Sequence, residues 1–338
     1  MDIFKYTCEY MPKWNPVLIN GYNSREAGIT PLQELAFMMA DAICYTEEAV
    51  KAGMAVDQIA PKYAFYFGIG SSFFEEIAKV RAGRKMWARI AKERFGARDP
   101  ESMKMRYHVQ TCGSTLTAQQ PFNNIVRCTI QALAAVLGGC NSLHVNSMDE
   151  AYASPTEQAA LTALRTQLIV EHETGVTDVV DPLGGSYYVE ALTEQMIKGA
   201  QEYLDRIDAM GGVLAGIRNG FFMQEIAASA HKYHSDIERS EKTIVGVNAF
   251  QTEEETPIEI YRPDRRVVDE AVERIQKLRR TRDQRRWKDS LEGVRDACRG
   301  TDNLVPAVLE ACKAYATYAE IARVLKQELG EHQYPAVF

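Results

Sequence analysis

The stretch VLINGYNSREAG, residues 17–28, changes character in its middle. Val17, Leu18 and Ile19 form a short apolar run of the kind found in buried strands. Beyond Gly21 the chain turns polar through Tyr22, Asn23, Ser24, Arg25 and Glu26. A buried strand that ends abruptly in polar side chains is how α/β proteins present a site, because the strand stays in the core while its carboxyl end reaches the surface. Asn23 lies at the centre of that polar end. It reads either as a site residue or as a strand-end residue capping the turn that follows.

Working outward, three more runs have the same form. They are YAFYFGIG at 63–70, MRYHVQTCG at 105–113 and SLHVNS at 142–147. Helical patterns separate them. Leu32, Leu35, Met38, Met39 and Ala42 recur at helical intervals over 31–52, and Phe74, Ile77, Val80, Trp87 and Ile90 do so over 72–95. Ile125, Cys128, Ile130, Leu133 and Val136 mark a third helix over 121–137, closed by Gly138-Gly139. Strand and helix alternating at spacings of about 35–45 residues predict parallel βα units. A (β/α)8 barrel needs eight such units, and four are present, complete by about residue 153. The outer strands would leave open edges, which parallel sheets rarely tolerate. Either something else supplies further strands or the sheet is small and open.

After residue 155 the pattern is helical. Helices are expected at 155–174, at about 191–209 after the turn-rich DPLGGSYYVEALT (181–193), and in short pieces through GGVLAGIRNGFF (211–222). Thr252 to Glu255 reads as an acidic loop. From Asp264 to Trp287, Val268, Ala271, Ile275 and Leu278 fall on one helical stripe, with Arg265, Arg266, Arg279, Arg280, Arg282, Arg285 and Arg286 opposite. Interspersed acids favour a solvated face over a nucleic-acid surface. Residues 303–329 read as two more helices. The expected division is 1–154, sheet and helices, and 155–338, mainly helical.

The bulk numbers bound the function. The 338 residues are 46% apolar and 25% charged, as in a globular protein. A net charge of −7 argues against nucleic-acid binding. The seven cysteines are scattered without a CxxC pair, so neither a zinc site nor a disulfide framework is indicated and a reducing cytoplasm is expected. The start MDIFKYTCEY has neither the basic nor the apolar region of a signal peptide, and Met1 reads as an internal start. No apolar run approaches the roughly 20 residues of a membrane span.

YHVQTCGSTLTAQQPFNNIVR (107–127) followed by GGCNSLHVNSMDEA (138–151) resembles the adenosylcobalamin-dependent acyl-CoA mutases, the methylmalonyl-CoA and isobutyryl-CoA mutase family. DPLGGSYYVEALT, IDAMGG (207–212), IVGVNAF (244–250) and the opening MPKWNPVLINGYNSREAG match in the same order. The resemblance implies an α/β fold: half of a (β/α)8 TIM barrel, four parallel βα units, followed by a mostly helical C-terminal region. It implies radical carbon-skeleton rearrangement of a short-chain acyl-CoA with adenosylcobalamin as cofactor. The family's cobalt-ligating motif D-x-H-x-x-G is absent, as is the first half of its barrel. A chain supplying the first half-barrel and a small cobalamin-binding subunit are therefore the expected partners, in an oligomer, with no nucleic acid and no membrane.

The family's site residues carry over by position. Asn23 stands where well-known members have a histidine that hydrogen-bonds the substrate thioester carbonyl. It keeps a donor and an acceptor, but it cannot be protonated. Lys62 and Ala64 stand where the family contacts CoA through an arginine and a serine. Lysine still meets phosphate as a point charge, and alanine offers nothing polar. Gln110, Gly113, Ser142, Asn146, Glu150 and Ala153 match the family's cobalamin side, with His108 and His144 beside them as cofactor-side or core histidines. The changes at Asn23, Lys62 and Ala64 also leave open a non-catalytic mutase half serving as a scaffold. His231 and His234 lack a third metal ligand and read as surface residues, so no metal site is expected. Gly184-Gly185 and Gly211-Gly212 read as turns, and Cys112 as a small packed residue.

Overall fold

The computed structural model describes residues 1–253 and 257–333. Residues 254 and 255 of the expected acidic loop lie outside the described residues. The chain forms two compact units, residues 17–261 and residues 1–16 together with the stretch from 262. Compactness thus divides the chain elsewhere than residue 154, where strands give way to helices.

The four strand-like runs form one parallel sheet in the order β1-β2-β3-β4. The strands are β1 (Val17–Asn20), β2 (Tyr63–Ile69), β3 (Tyr107–Thr111) and β4 (Ser142–His144). The last is three residues long. A sequential parallel order with a helix in each crossover is that of half a (β/α)8 barrel. In chain order α1 (Asp2–Tyr10) precedes β1 and α2 (Tyr22–Glu26) follows it. The long crossover helix α3 (Pro31–Lys51) starts from a capping box, in which Thr30 and Gln33 exchange side-chain and backbone bonds, with Pro31 as its first residue. A short helix α4 (Val56–Ile59) precedes β2. Helix α5 (Phe73–Arg89) leads into a π-helical turn at Ile90–Arg94, and the short α6 (Pro100–Met103) follows. Helix α7 (Asn123–Gly138) stops at Gly139, whose φ of 84° is the left-handed conformation glycine adopts at little cost.

Strand periodicity separates two faces of the sheet. Ile19, Phe65, Phe67 and Val109 point to the helices and are buried. Phe65 packs on Trp87 of α5 with ring centroids 5.4 Å apart. Leu18, Ala64, Tyr66, His108 and Gln110 point to the other face, which the described residues of this unit leave largely uncovered, and remain partly exposed.

Three helices then follow with one short link. Helix α8 (Glu157–Glu173) is capped by Thr156 and α9 (Tyr187–Ala209) by Ser186. The latter starts four residues earlier than the periodicity suggests, because the Ser186 hydroxyl accepts the Val189 amide. After α10 (Val213–Arg218), the expected short pieces extend into an 18-residue helix, α11 (Phe221–Glu238).

In the other unit, the stripe from Asp264 to Trp287 is two helices, not one: α12 (Arg265–Thr281) and α13 (Gln284–Arg299). The break comes at Arg282, which is buried rather than part of a solvated face. Its guanidinium makes two 2.7 Å bonds to Glu320 and lies 4.0 Å from the Trp287 ring centroid. That bidentate, stacked geometry stabilises a helix end that periodicity alone would carry through. The remaining arginines of α12 are solvated and several pair with acids one turn away, such as Arg265 with Asp269 at 3.1 Å. The two expected final helices are present as α14 (Leu304–Lys313) and α15 (Tyr318–Leu329). Val294, Ala311, Ile321 and Val324 form their core. No described helix is long and apolar enough to cross a membrane.

Candidate functional site

The uncovered face of the sheet carries a polar row. Register pairs Asn20 with Tyr66, Tyr66 with His108, and His108 with Ser142, so one side chain from each strand lies on one level. His108 Nδ1 and Ser142 Oγ are 2.7 Å apart, and the His108 and Tyr66 rings are 5.0 Å apart. Tyr66 is stacked on Tyr22 of α2 at 4.9 Å, nearly parallel. Burial, and then the neighbouring His144, lower the His108 pKa. Burial lowers that of His144 too. Both imidazoles are therefore neutral near pH 7.

At the carboxyl ends of the strands a second level forms. The Tyr66 hydroxyl bonds the Gln110 amide oxygen, and Gln110 Nε2 donates to Asn146 Oδ1 at 2.7 Å. Asn146 is buried; its Nδ2 donates to the Thr111 carbonyl at 2.8 Å, and its backbone N–H donates to Thr111 Oγ1 at 2.9 Å. Both ends of its amide are thus bonded within the protein, so it positions Gln110 rather than reaching outward. Gly113 lies between these groups and two carboxylates. A Cβ there would come 3.1 Å from Glu26 Oε2, 3.3 Å from Asn146 Nδ2 and 3.6 Å from Glu150 Cγ. Glu26 accepts the Ser114 N–H at 2.8 Å. Burial raises the pKa of Glu26, partly offset by the Ser114 bonds. Burial, with the Glu26 and Asp149 charges behind it, raises that of Glu150. The loop that holds Glu150 and Ala153 is organised by Asp149, which accepts from the Ser147 hydroxyl at 2.5 Å and the Thr156 N–H at 2.9 Å.

Asn23 lies in α2 at the end of β1, exposed, with no side-chain hydrogen bond among the described residues. The capping duty belongs to Asn20, whose Oδ1 accepts the Asn23 N–H at 3.1 Å. The Asn23 carboxamide is therefore left to meet something outside the fold.

Of the residues singled out in the sequence, Gln110, Gly113, Asn146 and Glu150 converge at the carboxyl ends of β3 and β4. Ser142 belongs to the level of His108, at the start of β4. Ala64 lies near the amino end of β2, and Lys62 precedes that strand in a 3-10 turn and is buried. These two are separated from Asn23 along the strand direction, as the two ends of a long ligand would be. His231 and His234 are exposed, Cys112 is buried, and no cluster able to hold a metal occurs among the described residues.

Sequence reading missed the charged cluster behind the strand ends. Lys79 Nζ donates to Glu34 Oε2 at 2.6 Å, to the Gly68 carbonyl at 2.5 Å, and to Glu76. Glu34 accepts the Gly68 N–H at 2.7 Å, and Glu76 accepts the Gly70 N–H at 2.9 Å. Arg25 Nη2 reaches Glu76 at 3.2 Å. Lys79, Glu34 and Glu76 are fully buried. The available signal was that Glu34 and Lys79 interrupt apolar helix faces.

A half-barrel sheet with polar side chains gathered at its carboxyl strand ends has the architecture of the barrel proteins that build sites there. The comparisons with known proteins are more specific. The family model for methylmalonyl-CoA mutase matches residues 1–331. The 2-hydroxyisobutanoyl-CoA mutase large subunit of Aquincola tertiaricarbonis is 44% identical over 339 residues, covering all of this chain and 60% of that protein. The methylmalonyl-CoA mutase of Rhizobium meliloti (strain 1021) is 44% identical over 333 residues, covering 98% of the chain and 47% of that protein. The human mitochondrial methylmalonyl-CoA mutase is 39% identical over 334 residues, 98% of the chain and 44% of its own length. The chain belongs to the methylmalonyl-CoA mutase family, and it spans about half the length of these curated relatives.

Proposed function

We propose that this chain is the second half-barrel, with its following helical region, of an adenosylcobalamin-dependent acyl-CoA mutase. In this reading it works with a chain supplying the first half-barrel and a small cobalamin-binding subunit that carries the cobalt ligand. The observation that carries the reading is a family match over almost the whole chain combined with an uncovered sheet face that collects polar groups. The similarity to a 2-hydroxyisobutanoyl-CoA mutase large subunit supports a branched or hydroxylated short-chain acyl-CoA as substrate. The seven cysteines are all free, which fits a cytoplasmic setting.

The residues present suit a corrinoid. Gly113 brings its backbone close to Glu26, Asn146 and Glu150, where a Cβ would crowd them, and the two carboxylates can accept from amide and ribose hydroxyl groups. Adenosylcobalamin, when bound, supplies the radical that starts the rearrangement. Gln110, Gly113, Ser142, Glu150 and Ala153 would hold it, with Asn146 fixing Gln110. Asn23 would donate a hydrogen bond from its carboxamide to the thioester carbonyl and orient it, without general-acid assistance. Lys62 would meet a CoA phosphate as a point charge, beside an apolar wall at Ala64.

The test is gentle purification from the native host with native mass spectrometry, then isomerisation assays by liquid chromatography–mass spectrometry with adenosylcobalamin and candidate acyl-CoA thioesters. A complex with both partner chains that interconverts carbon-skeleton isomers is expected. A chain that purifies without corrinoid, and yields no isomer when the partners are added, would establish the scaffold reading instead.

A further inference from the structure

A cleft of about 390 Å³ adjoins the candidate site at Glu26 and Ser114 and is walled on its other side by α11 and the loop after it. That volume falls in the small-molecule range of about 300–1,000 Å³. Two cations line it without a carboxylate partner. Arg127 gives its hydrogen bonds to neutral acceptors: Thr117 Oγ1 at 3.0 Å, Asn124 Oδ1 at 2.8 Å and the Val245 carbonyl at 2.8 Å. Lys242 Nζ lies 4.4 Å from the Tyr233 ring centroid and makes no hydrogen bond or ion pair among the described residues. The third cation of the lining, Arg25, is bonded to Glu76.

The acids nearby do not neutralise the pair. Glu26 lines the cleft and is met by the Arg25 charge, not by Arg127 or Lys242, and Asp236 is taken by Lys232 at 2.8 Å. Glu75 faces Lys242 from the first turn of α5 and leaves a net positive lining. Burial lowers the pKa of both Arg127 and Lys242; the Arg25 charge pushes Lys242 the same way, and the Glu75 and Asp236 charges offset this only in part. The Ser71 hydroxyl accepts from the buried Gln131 amide at 3.5 Å, which leaves its own proton available. The Ser72 hydroxyl, which caps no helix amide, lines the same space; the end of α5 beside it is already met by Glu75 and Glu76 of its first turn. Ile130, Ile244 and Val245 add an apolar wall.

We propose that this cleft binds a phosphate group, free or as the monoester of a small organic body, between Arg127 and Lys242. Two cations without a carboxylate bond, beside serine hydroxyl donors, suit a dianion better than a carboxylate. Nothing in the proposal depends on the mutase reading.

The test titrates the full chain with inorganic phosphate and, separately, ribose 5-phosphate, followed by isothermal calorimetry and phosphorus NMR line width. Saturable one-to-one binding of at least one probe is expected. Lys242→Gln should weaken it at least 10-fold without changing the thermal midpoint, since Lys242 makes no structural ion pair. Lys232→Gln, one residue before Tyr233 and already paired with Asp236, should leave it unchanged. Tighter binding of the ester identifies a phosphomonoester site, and equal affinity identifies free phosphate. No saturation with either probe, or parental affinity in Lys242→Gln, overturns the assignment.

Discussion

The two faces of the sheet handle polar groups in opposite ways. On the helix side, Lys79, Glu34 and Glu76 are fully buried, and each charge is matched by an opposite charge and a backbone group of Gly68 or Gly70. On the uncovered side, Tyr66, His108, Gln110 and Ser142 bond one another yet stay partly exposed. Buried charge costs several kcal/mol per ion unless it is paired, so the first arrangement is closed and structural. The second leaves valences over, and Asn23 leaves its whole carboxamide. The difference teaches where to look for function: not at the most strongly perturbed groups, but at polar groups the fold orders without satisfying.

The comparison is broken most directly through Lys79. Lys79→Met should destabilise the protein by about 3–5 kcal/mol, because two buried carboxylates are left to share the single charge of Arg25. Urea denaturation measures it, and a loss below about 1 kcal/mol would mean that the cluster is not a closed unit. One acid of the same helical layer is left unpaired: Asp41 of α3 has no hydrogen bond or ion pair among the described residues, and burial raises its pKa to about 7. The folded state then holds a proton that the unfolded state has released, so Asp41 makes stability fall as pH rises from about 4 to about 7. Asp41→Asn should match the parent near pH 4 and exceed it by up to about 4 kcal/mol at pH 8. Parallel stability curves for the two proteins would remove Asp41 from the account.

On the uncovered face the expected effects fall on activity. Asn23→Ala in the complete complex should slow turnover by about 10-fold or more while changing stability by less than about 0.5 kcal/mol. Asn20→Ala should instead cost about 1 kcal/mol of stability, through loss of its bond to the Asn23 N–H. Equal turnover in Asn23→Ala and the parent would return Asn23 to the surface. The smallest effect is expected at Gly113→Ala. Its new methyl group meets Glu26 and Asn146 at distances that require shifts of a few tenths of an ångström. Corrinoid affinity, read by absorbance titration, should drop a few-fold with stability nearly constant; an unchanged affinity would place the cofactor elsewhere.

How much of this was legible beforehand varies with the range of the forces involved. The strands were legible because their apolar runs are bounded by glycine and polar residues, α3 because its apolar residues recur at helical intervals, and α7 because Gly138-Gly139 stops it. The candidate residues of β3 and β4 were legible only through family resemblance. That Asn146 is bonded at both ends, and that Lys62 lies at the opposite end of the sheet from Asn23, was not. Arg282 shows the same limit: along the chain it is one more arginine on a charged face, and only the fold brings Glu320 and Trp287 to it.

Local sequence by itself determined the parallel βα pattern, the helix starts and stops, and family membership, because caps, periodicity and motifs act over a few residues. Tertiary structure alone decided which charges are sealed and which polar groups are left open. Strand register aligned Asn20, Tyr66, His108 and Ser142 into one level, and helix packing brought Lys79 to Glu34. The reason is that desolvation and charge pairing depend on distance in space, and residues 45 positions apart in the chain carry no local sign that they will meet.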